Sequence, residues 1–229
     1  MTGESPASVL RSTQAVLLDF DGPVCSVFAG YPATQIAEEL RALISDAIGD
    51  LPEEIAKASG PHEVLAASAD FGGDLWRRVE EALQVAEIKA VESATATPGI
   101  SEFLDACEAA KRPVAIVSNN CGASVRSYLD HAGLSDRIRH VEARDPIHVD
   151  RMKPSPYLVL RAAEALAAEP SQGVLIGDQV SDIVAARAAG VRSVGYANKP
   201  GKAADLASAG ADAVVVDVLD LPALLGLSA

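Results

Sequence analysis

The chain has 229 residues, 49% apolar and 4% aromatic, enough to bury one good-sized core with room for a smaller insert and too apolar for a disordered polymer. Its 19 Lys and Arg against 32 Asp and Glu leave a net charge of −13 with no basic block. That balance excludes a nucleic acid or an acidic membrane as the expected partner, and any anionic substrate needs a local positive centre. The three cysteines, Cys25, Cys107 and Cys121, form no CxxC pair and no metal spacing, so reduced thiols and a cytoplasmic location are expected. No stretch has the pattern of a secretory leader or the apolar length of a membrane span.

Met1 to Thr13 is expected to be a short, loosely ordered lead-in. Ala15 to Leu18 is a short aliphatic run that ends in Asp19-Phe-Asp21-Gly-Pro23, the pattern of a buried strand closed by a turn. From Ala33 to Gly49 the apolar positions Ile36, Leu40, Leu43 and Ile44 recur at helical spacing, with Glu38, Glu39 and Arg41 opposite. Further helices are predicted after Leu51-Pro52, over Pro61 to Ala69, and over Gly73 to Ala94, with no strand between Cys25 and Thr97. This all-helical block interrupts an alternating pattern that resumes at Thr97-Pro-Gly. A helix runs to about Lys111, a strand over Pro113 to Val117 ends in Ser118-Asn-Asn, and a helix over Ala123 to Ala132 stops at Gly133. A short strand is predicted over Arg137 to Val141 and a helix over Pro154 to Ala168. Gly173 to Gly177 is a strand ending in Asp178, followed by a helix to Ala189, a strand over Arg192 to Tyr196, a helix over Ala203 to Ala209 and a strand over Ala213 to Val216. Strands alternating with helices predict an α/β fold with a parallel sheet, helices on both faces, and an inserted helical subdomain.

Three of these strands end in polar residues, and in a parallel sheet those ends share one edge, where open α/β sheets bind ligands. The groups so gathered are Asp19 with Asp21, Ser118 with Asn119, and Asp178 with Asp182; Lys153 lies in the loop between the second and third. Asp19 and Asp178 offer hard oxygen ligands for a cation such as Mg²⁺. Ser118 offers a hydroxyl to a phosphoryl oxygen, Lys153 a fixed positive charge, and Asp21 a separate acid and base. His62, Arg77, Arg78 and Lys89 are the helical-block side chains that can read a substrate, although each is also suited to a solvated helix face. The Gly72-Gly73 pair suits either a turn or a close approach to the site.

The sequence resembles the haloacid dehalogenase superfamily in its phosphatase branch, with phosphoglycolate phosphatase as the nearest type. Asp19-Phe-Asp-Gly is similar to the first motif of that family, Val117-Ser-Asn to the second, Lys153-Pro-Ser-Pro to the third and Ile176-Gly-Asp-x-x-x-Asp182 to the fourth, in order, from Val16 to about Gly195. The resemblance implies a Rossmann-like core over residues 14–24 and 97–229, with residues 25–96 as an α-helical cap inserted after the first motif. It implies Asp19 as nucleophile and Asp21 as acid and base. Mg²⁺ would be held by the Asp19 carboxylate, the Asp21 main-chain carbonyl and Asp178. Ser118, Asn119 and Lys153 would bind the phosphoryl group, and Asp182 would support Lys153 or the metal. The implied partner is a small phosphorylated metabolite; nothing in the sequence speaks to oligomeric state. Phosphomutase and 2-haloacid dehalogenase are sister chemistries, and a binding protein with a vestigial site is the non-enzymatic alternative. One residue departs from the pattern: Pro23 stands where the family usually has Thr, removing an N–H and a hydroxyl beside the phosphoryl site.

Overall fold

The structure, a computed structural model, describes residues 4–218, 220 and 221. Residues 1–3, Leu219 and residues 222–229, the last two of which the sequence reading places in the core, lie outside the described residues. The central element is a six-stranded parallel sheet made of β1 (Ala15–Leu18), β4 (Val114–Cys121), β5 (His140–Arg144), β6 (Gly173–Gly177), β7 (Arg192–Tyr196) and β8 (Ala213–Val215). Its order is β5-β4-β1-β6-β7-β8. The chain leaves β1 toward β4 and β5, then returns to the other side of β1 for β6, β7 and β8. β1 therefore sits where the winding reverses, and the crevice at its C-terminal end is the place such sheets offer to ligands.

The inner strands β1 and β6 and the start of β4 read as aliphatic runs because both faces are covered. Val16 and Leu18 pack, with Ile116, Val174 and Ile176, against α6 (Ile100–Ala109) and α7 (Gly122–His131). Ala15 and Leu17 face the other way, onto α8 (Tyr157–Ala165) and α9 (Val180–Ala189), where Ala162, Ala185, Ala186 and Ala189 let the helices approach closely. α10 (Lys202–Ser208) packs Leu206 against Ile183 at the β8 end.

Helices α2 (Ala33–Ile48), α3 (Glu53–Lys57), α4 (Pro61–Ser68) and α5 (Gly73–Val91) bury a cluster of their own. Ile36, Leu40 and Ile44 of α2 meet Val64 and Leu65 of α4 and Val79 and Leu83 of α5. Each such side chain contributes about 2 kcal/mol by leaving water. Met152, from the loop before α8, is buried in the same cluster and joins it to the sheet end.

Four expectations need correction. Residues 6–11 form α1 (Pro6–Arg11), started by Ser5, whose Oγ accepts from Ser8 N at 3.2 Å; Val9 and Leu10 are fully buried in the core, so this segment is ordered by burial. The block between Cys25 and Thr97 is bounded by a two-stranded antiparallel pair, β2 (Cys25–Ser26) with β3 (Thr95–Ala96), too short to show a period in sequence. The strand predicted at Arg137 to Val141 lies at His140–Arg144, because residues 135–137 form a 3₁₀ turn first. The helix predicted from Pro154 starts at Tyr157, after a turn through Pro156.

Candidate active site

Asp19 and Asp21 alternate with Phe20 as the backbone leaves β1. Phe20 is fully buried in the core, its ring edge-on to Tyr128 at 5.5 Å, so the two carboxylates turn to the opposite side. Asp19 N donates to Ile176 O at 2.9 Å, which fixes the end of β1 against β6. Asp21 Oδ1 accepts from Val27 N at 2.9 Å. Burial raises the Asp21 carboxyl above its usual range, with the Val27 N–H opposing. The loop then closes through Gly22 N to Cys25 O at 2.8 Å and Val24 N to Phe20 O at 3.2 Å, so the loss of an N–H at Pro23 leaves the turn intact. Thr97 Oγ1 donates to Gly22 O and ties the end of the helical block to this loop. Gly22 has φ of 115°, and a Cβ there would lie 2.7 Å from Asp178 Cγ; both conformation and space require glycine.

Lys153 is buried, with its Nζ donating two hydrogen bonds and making one further ion pair. It meets Asp19 Oδ1 at 2.7 Å, Asp182 Oδ1 at 2.6 Å and Val117 O at 2.8 Å. Burial works against its charge, but Asp182 and Asp19 outweigh it and hold the ammonium well above the ordinary lysine range. Asp182 is the third residue of α9 and forms a capping box with Gln179, accepting Gln179 N on Oδ2 at 2.9 Å. It therefore reads as an orienting carboxylate, Oδ2 hydrogen-bonded and Oδ1 held by the Lys153 ion pair alone, and it sits so close over Gly177 that a side chain there would collide with it.

Asp178 is held through Oδ2 by Asn198 Nδ2 at 3.0 Å, by Gln179 Nε2 at 3.3 Å and by Lys202. Its Oδ1 is buried with no hydrogen-bond partner. Carboxylate oxygens of Asp19, Asp178 and Asp182 lie within 4.8 Å of one another, a set of hard donors. Burial first, then Asp182 and Asp178, push the Asp19 carboxyl well above the carboxylate range against Lys153. Crowded acids with an orphaned oxygen fit a divalent cation with oxygen preference.

Ser118 is fully buried: its Oγ accepts from Asn120 N at 3.0 Å and donates to Asn120 Oδ1 at 3.1 Å. Asn119 clamps the Lys153 backbone, Nδ2 to Lys153 O at 3.0 Å and Oδ1 from Lys153 N at 2.8 Å. Asp19, Asp21, Asn119, Asn120, Lys153 and Asp182 all line one cavity of about 430 Å³, a size that suits a small metabolite. Its far wall comes from the helical block, with Phe28, Pro61, His62 and Ala66. Of the four helical-block candidates only His62 reaches the cavity. Arg77 is spent on exposed pairs with Asp74 and Glu81; Arg78 and Lys89 lie on an outer groove, with Lys89 4.6 Å from the Tyr31 ring centre. Cys25 and Cys121 are buried thiols, both raised in pKa by burial.

A second group escaped sequence reading. Arg144, at the end of β5, is buried with Glu80 and Glu87 of α5. Glu87 also meets His62 Nε2 at 2.9 Å and accepts Cys121 N at 2.8 Å. Asn198 and Lys202 were likewise missed; the only signal was that β7 ends on the same sheet edge as β1 and β6.

The chain matches the model of the haloacid dehalogenase-like hydrolases over residues 30–196. It is 32% identical over 240 residues to a plasmid-borne phosphoglycolate phosphatase of Cupriavidus necator, covering 96% of both chains. A haloacid dehalogenase family hydrolase of Deinococcus radiodurans, solved with bound phosphate and sodium, superposes with a TM-score of 0.63 at 28% identity, covering 95% of this chain and 100% of that one. CbbY of Rhodobacter sphaeroides, solved with phosphate, shares the fold with a TM-score of 0.67 at 19% identity, covering 94% of this chain and 100% of that one.

Proposed function

We propose, for a chain that belongs to the haloacid dehalogenase-like hydrolase family and is one of its phosphatases, a Mg²⁺-dependent hydrolysis of a small phosphomonoester through an aspartyl-phosphate. The observation that carries this reading is that Asp19 and Lys153 line one cavity with Asp19 paired to the lysine, and that the half-partnered Asp178 brings a carboxylate oxygen within 4.8 Å of Asp19. The Asp19 carboxylate, Asp178 and the Asp21 main-chain carbonyl would hold Mg²⁺, which when bound supplies charge neutralisation for a dianionic phosphoryl group.

Lys153 occupies Asp19 Oδ1 and leaves Oδ2 as the nucleophilic oxygen. Oδ2 attacks phosphorus, the ester P–O bond breaks, and Asp21 gives its proton to the departing alkoxide oxygen. Burial favours the protonated form of Asp21 that this step needs. The Asp21 carboxylate then takes a proton from water as that water attacks the phosphorus, freeing Asp19 and inorganic phosphate. Lys153 offsets the phosphoryl charge. Asn119 acts by clamping Lys153, and Ser118 by fixing Asn120, which lines the cavity beside it. Residues 25–96 serve as the cap that closes the cavity from above, hinged at the β2–β3 pair. The three unpaired, buried cysteines support a reducing compartment.

The test is phosphate release from p-nitrophenyl phosphate with Mg²⁺. Asp19→Asn should lower turnover by at least about a thousandfold with an unchanged melting profile. Undiminished turnover in that variant overturns the mechanism, and full activity in excess chelator overturns the role of the metal.

A further inference from the structure

The cap wall of the cavity is mostly apolar, with Phe28, Ala33, Pro61 and Ala66. Among the described residues, His62 and Lys153 are the only lining side chains with a cationic form, and Lys153 belongs to the phosphoryl end. The neighbouring Glu63 is occupied by the start of α4, accepting Ser59 N at 2.6 Å and Ser59 Oγ at 2.7 Å. His62 is held from behind by a cluster in which every donor is matched. The Arg144 guanidinium spends its five N–H bonds on Glu80, Glu87 and Asn119 O, with Nη1 to Glu87 Oε1 at 2.7 Å and to Asn119 O at 2.6 Å. Two buried carboxylates thus share one guanidinium, and His62 is the group placed to take up the remaining negative charge. Arg144 and His62 outweigh the burial of Glu87 and keep its carboxyl at about 2. An ionised carboxylate only accepts, so His62 Nε2 carries a hydrogen and donates it to Glu87, which leaves Nδ1 for a ligand.

Resting on the phosphatase reading, we propose that His62, positioned by Glu87 and Arg144, is the specificity-determining residue that takes a second acidic group of the substrate, a carboxylate or a second phosphate. The ring then stands between two acidic groups, Glu87 behind it and the ligand before it. The same cluster sets the spacing of the two ends of the substrate, because Arg144 grips Asn119 O while the Asn119 side chain clamps the Lys153 backbone. Glu87 and Arg144 touch no substrate; they are positioning residues.

The experiment compares three esters with Mg²⁺: 2-phosphoglycolate, 1,3-propanediol bisphosphate, and 2-hydroxyethyl phosphate, which has no second acid. The wild type is expected to prefer an acid-bearing ester through KM, and which of the two it prefers identifies the group. In His62→Gln that preference, read as a ratio of kcat/KM to the neutral ester, should fall by roughly 10- to 100-fold, mostly in KM, as expected for loss of a hydrogen bond between charged groups. Glu87→Gln should show a smaller loss in the same direction, and His62→Lys should restore part of it. Equal losses on charged and neutral esters, or no loss of preference, overturn the proposal, as does a wild type that turns over all three esters alike. A wild type that turns over none of them overturns the phosphatase reading itself and this inference with it.

Discussion

Replacing Arg144 with Met removes a guanidinium whose side chain is fully buried and whose five N–H bonds serve two carboxylates and a carbonyl. Methionine fills much of the space, so packing loss is small and the electrostatic effect stands almost alone. Glu87 would retain His62 and the Cys121 N–H, and Glu80 would retain Gln84 at 2.9 Å. Removing one partner from a buried ion pair costs about 3–5 kcal/mol. Burial already pushes the Glu80 carboxyl up, so it can take a proton and hold the loss near the lower end of that range. Against the roughly 5–15 kcal/mol that stabilises a typical domain, this is a large fraction, and it should lower the melting temperature by about 10 °C. Urea titration at pH 7 followed by fluorescence of Trp76, the single tryptophan and a residue of α5, measures it directly. Adding Glu80→Gln and Glu87→Gln to Arg144→Met should recover more than half of the loss, because no uncompensated charge remains. A single variant within about 1 kcal/mol of wild type, or a triple variant no more stable than the single, refutes the reasoning.

Two further outcomes follow from the geometry. Gly22→Ala forces a Cβ to 2.7 Å from Asp178 Cγ at a φ of 115°, and should cost about 1–3 kcal/mol in strain while displacing Asp178. Its melting temperature should drop, and the rise in melting temperature that Mg²⁺ is expected to give the wild type should be absent; a variant that responds to Mg²⁺ as the wild type does would count against the placement of Asp178. Acid should also act through Glu87, whose carboxyl lies at about 2 when folded and returns to 4.5 when unfolded. Such a lowered group stabilises the fold above its unfolded value, and the contribution is lost as pH falls toward its folded one. Asp19, Asp21 and Glu80 are shifted upward and act with the opposite sign, so the useful quantity is a difference. The stability gap between wild type and Glu87→Gln should narrow by about 2 kcal/mol from pH 6 to pH 3, measured as urea midpoints; a constant gap would show that Glu87 is not held ionised by the cluster.

Much of the sheet was legible in the sequence because helices cover both its faces, so β1, β6, β8 and the first four residues of β4 appear as aliphatic runs. Polar residues placed immediately after such runs were legible for the same reason: Asp19, Ser118 and Asp178 mark where three of those runs end. What was hidden had no local signature. Val9 and Leu10 are core residues in a helix of six residues, too short for a period. For β5, an edge strand reading His-Val-Glu-Ala-Arg and only partly buried, a strand was expected but its bounds were not legible, since its charged residues give no aliphatic run to mark them. Arg144 looks like a solvated charge until the fold brings Glu80 and Glu87 to it from 64 and 57 residues away. Pairing over such a distance is a property of topology, and no window of sequence contains it. Asn119 lies in the stretch of β4 where the register with β5 shifts between Val117 and Cys121, and the aliphatic pattern forecasts neither that shift nor the grip of Asn119 on the Lys153 backbone.

The charge balance of the site ties these observations to the chemistry. Asp19, Asp21, Asp178 and Asp182 bring four carboxylates to the end of the sheet, and Lys153 and Lys202 are the lysines that pair with them. Both ammonium groups are committed to these acids, so a dianionic ester entering the cavity meets a surplus of negative charge in a chain that is already at −13. A second positive centre is therefore a condition of binding as well as of reaction. In the proposed mechanism a divalent cation held at the orphaned Asp178 Oδ1 would supply it at the phosphoryl end. At the other end of the same cavity, two glutamates sharing one guanidinium create the matching demand on His62. On the proposed reading an acidic protein handles an anionic substrate without a basic surface: each carboxylate cluster would recruit a cationic partner, a metal ion at one and His62 at the other.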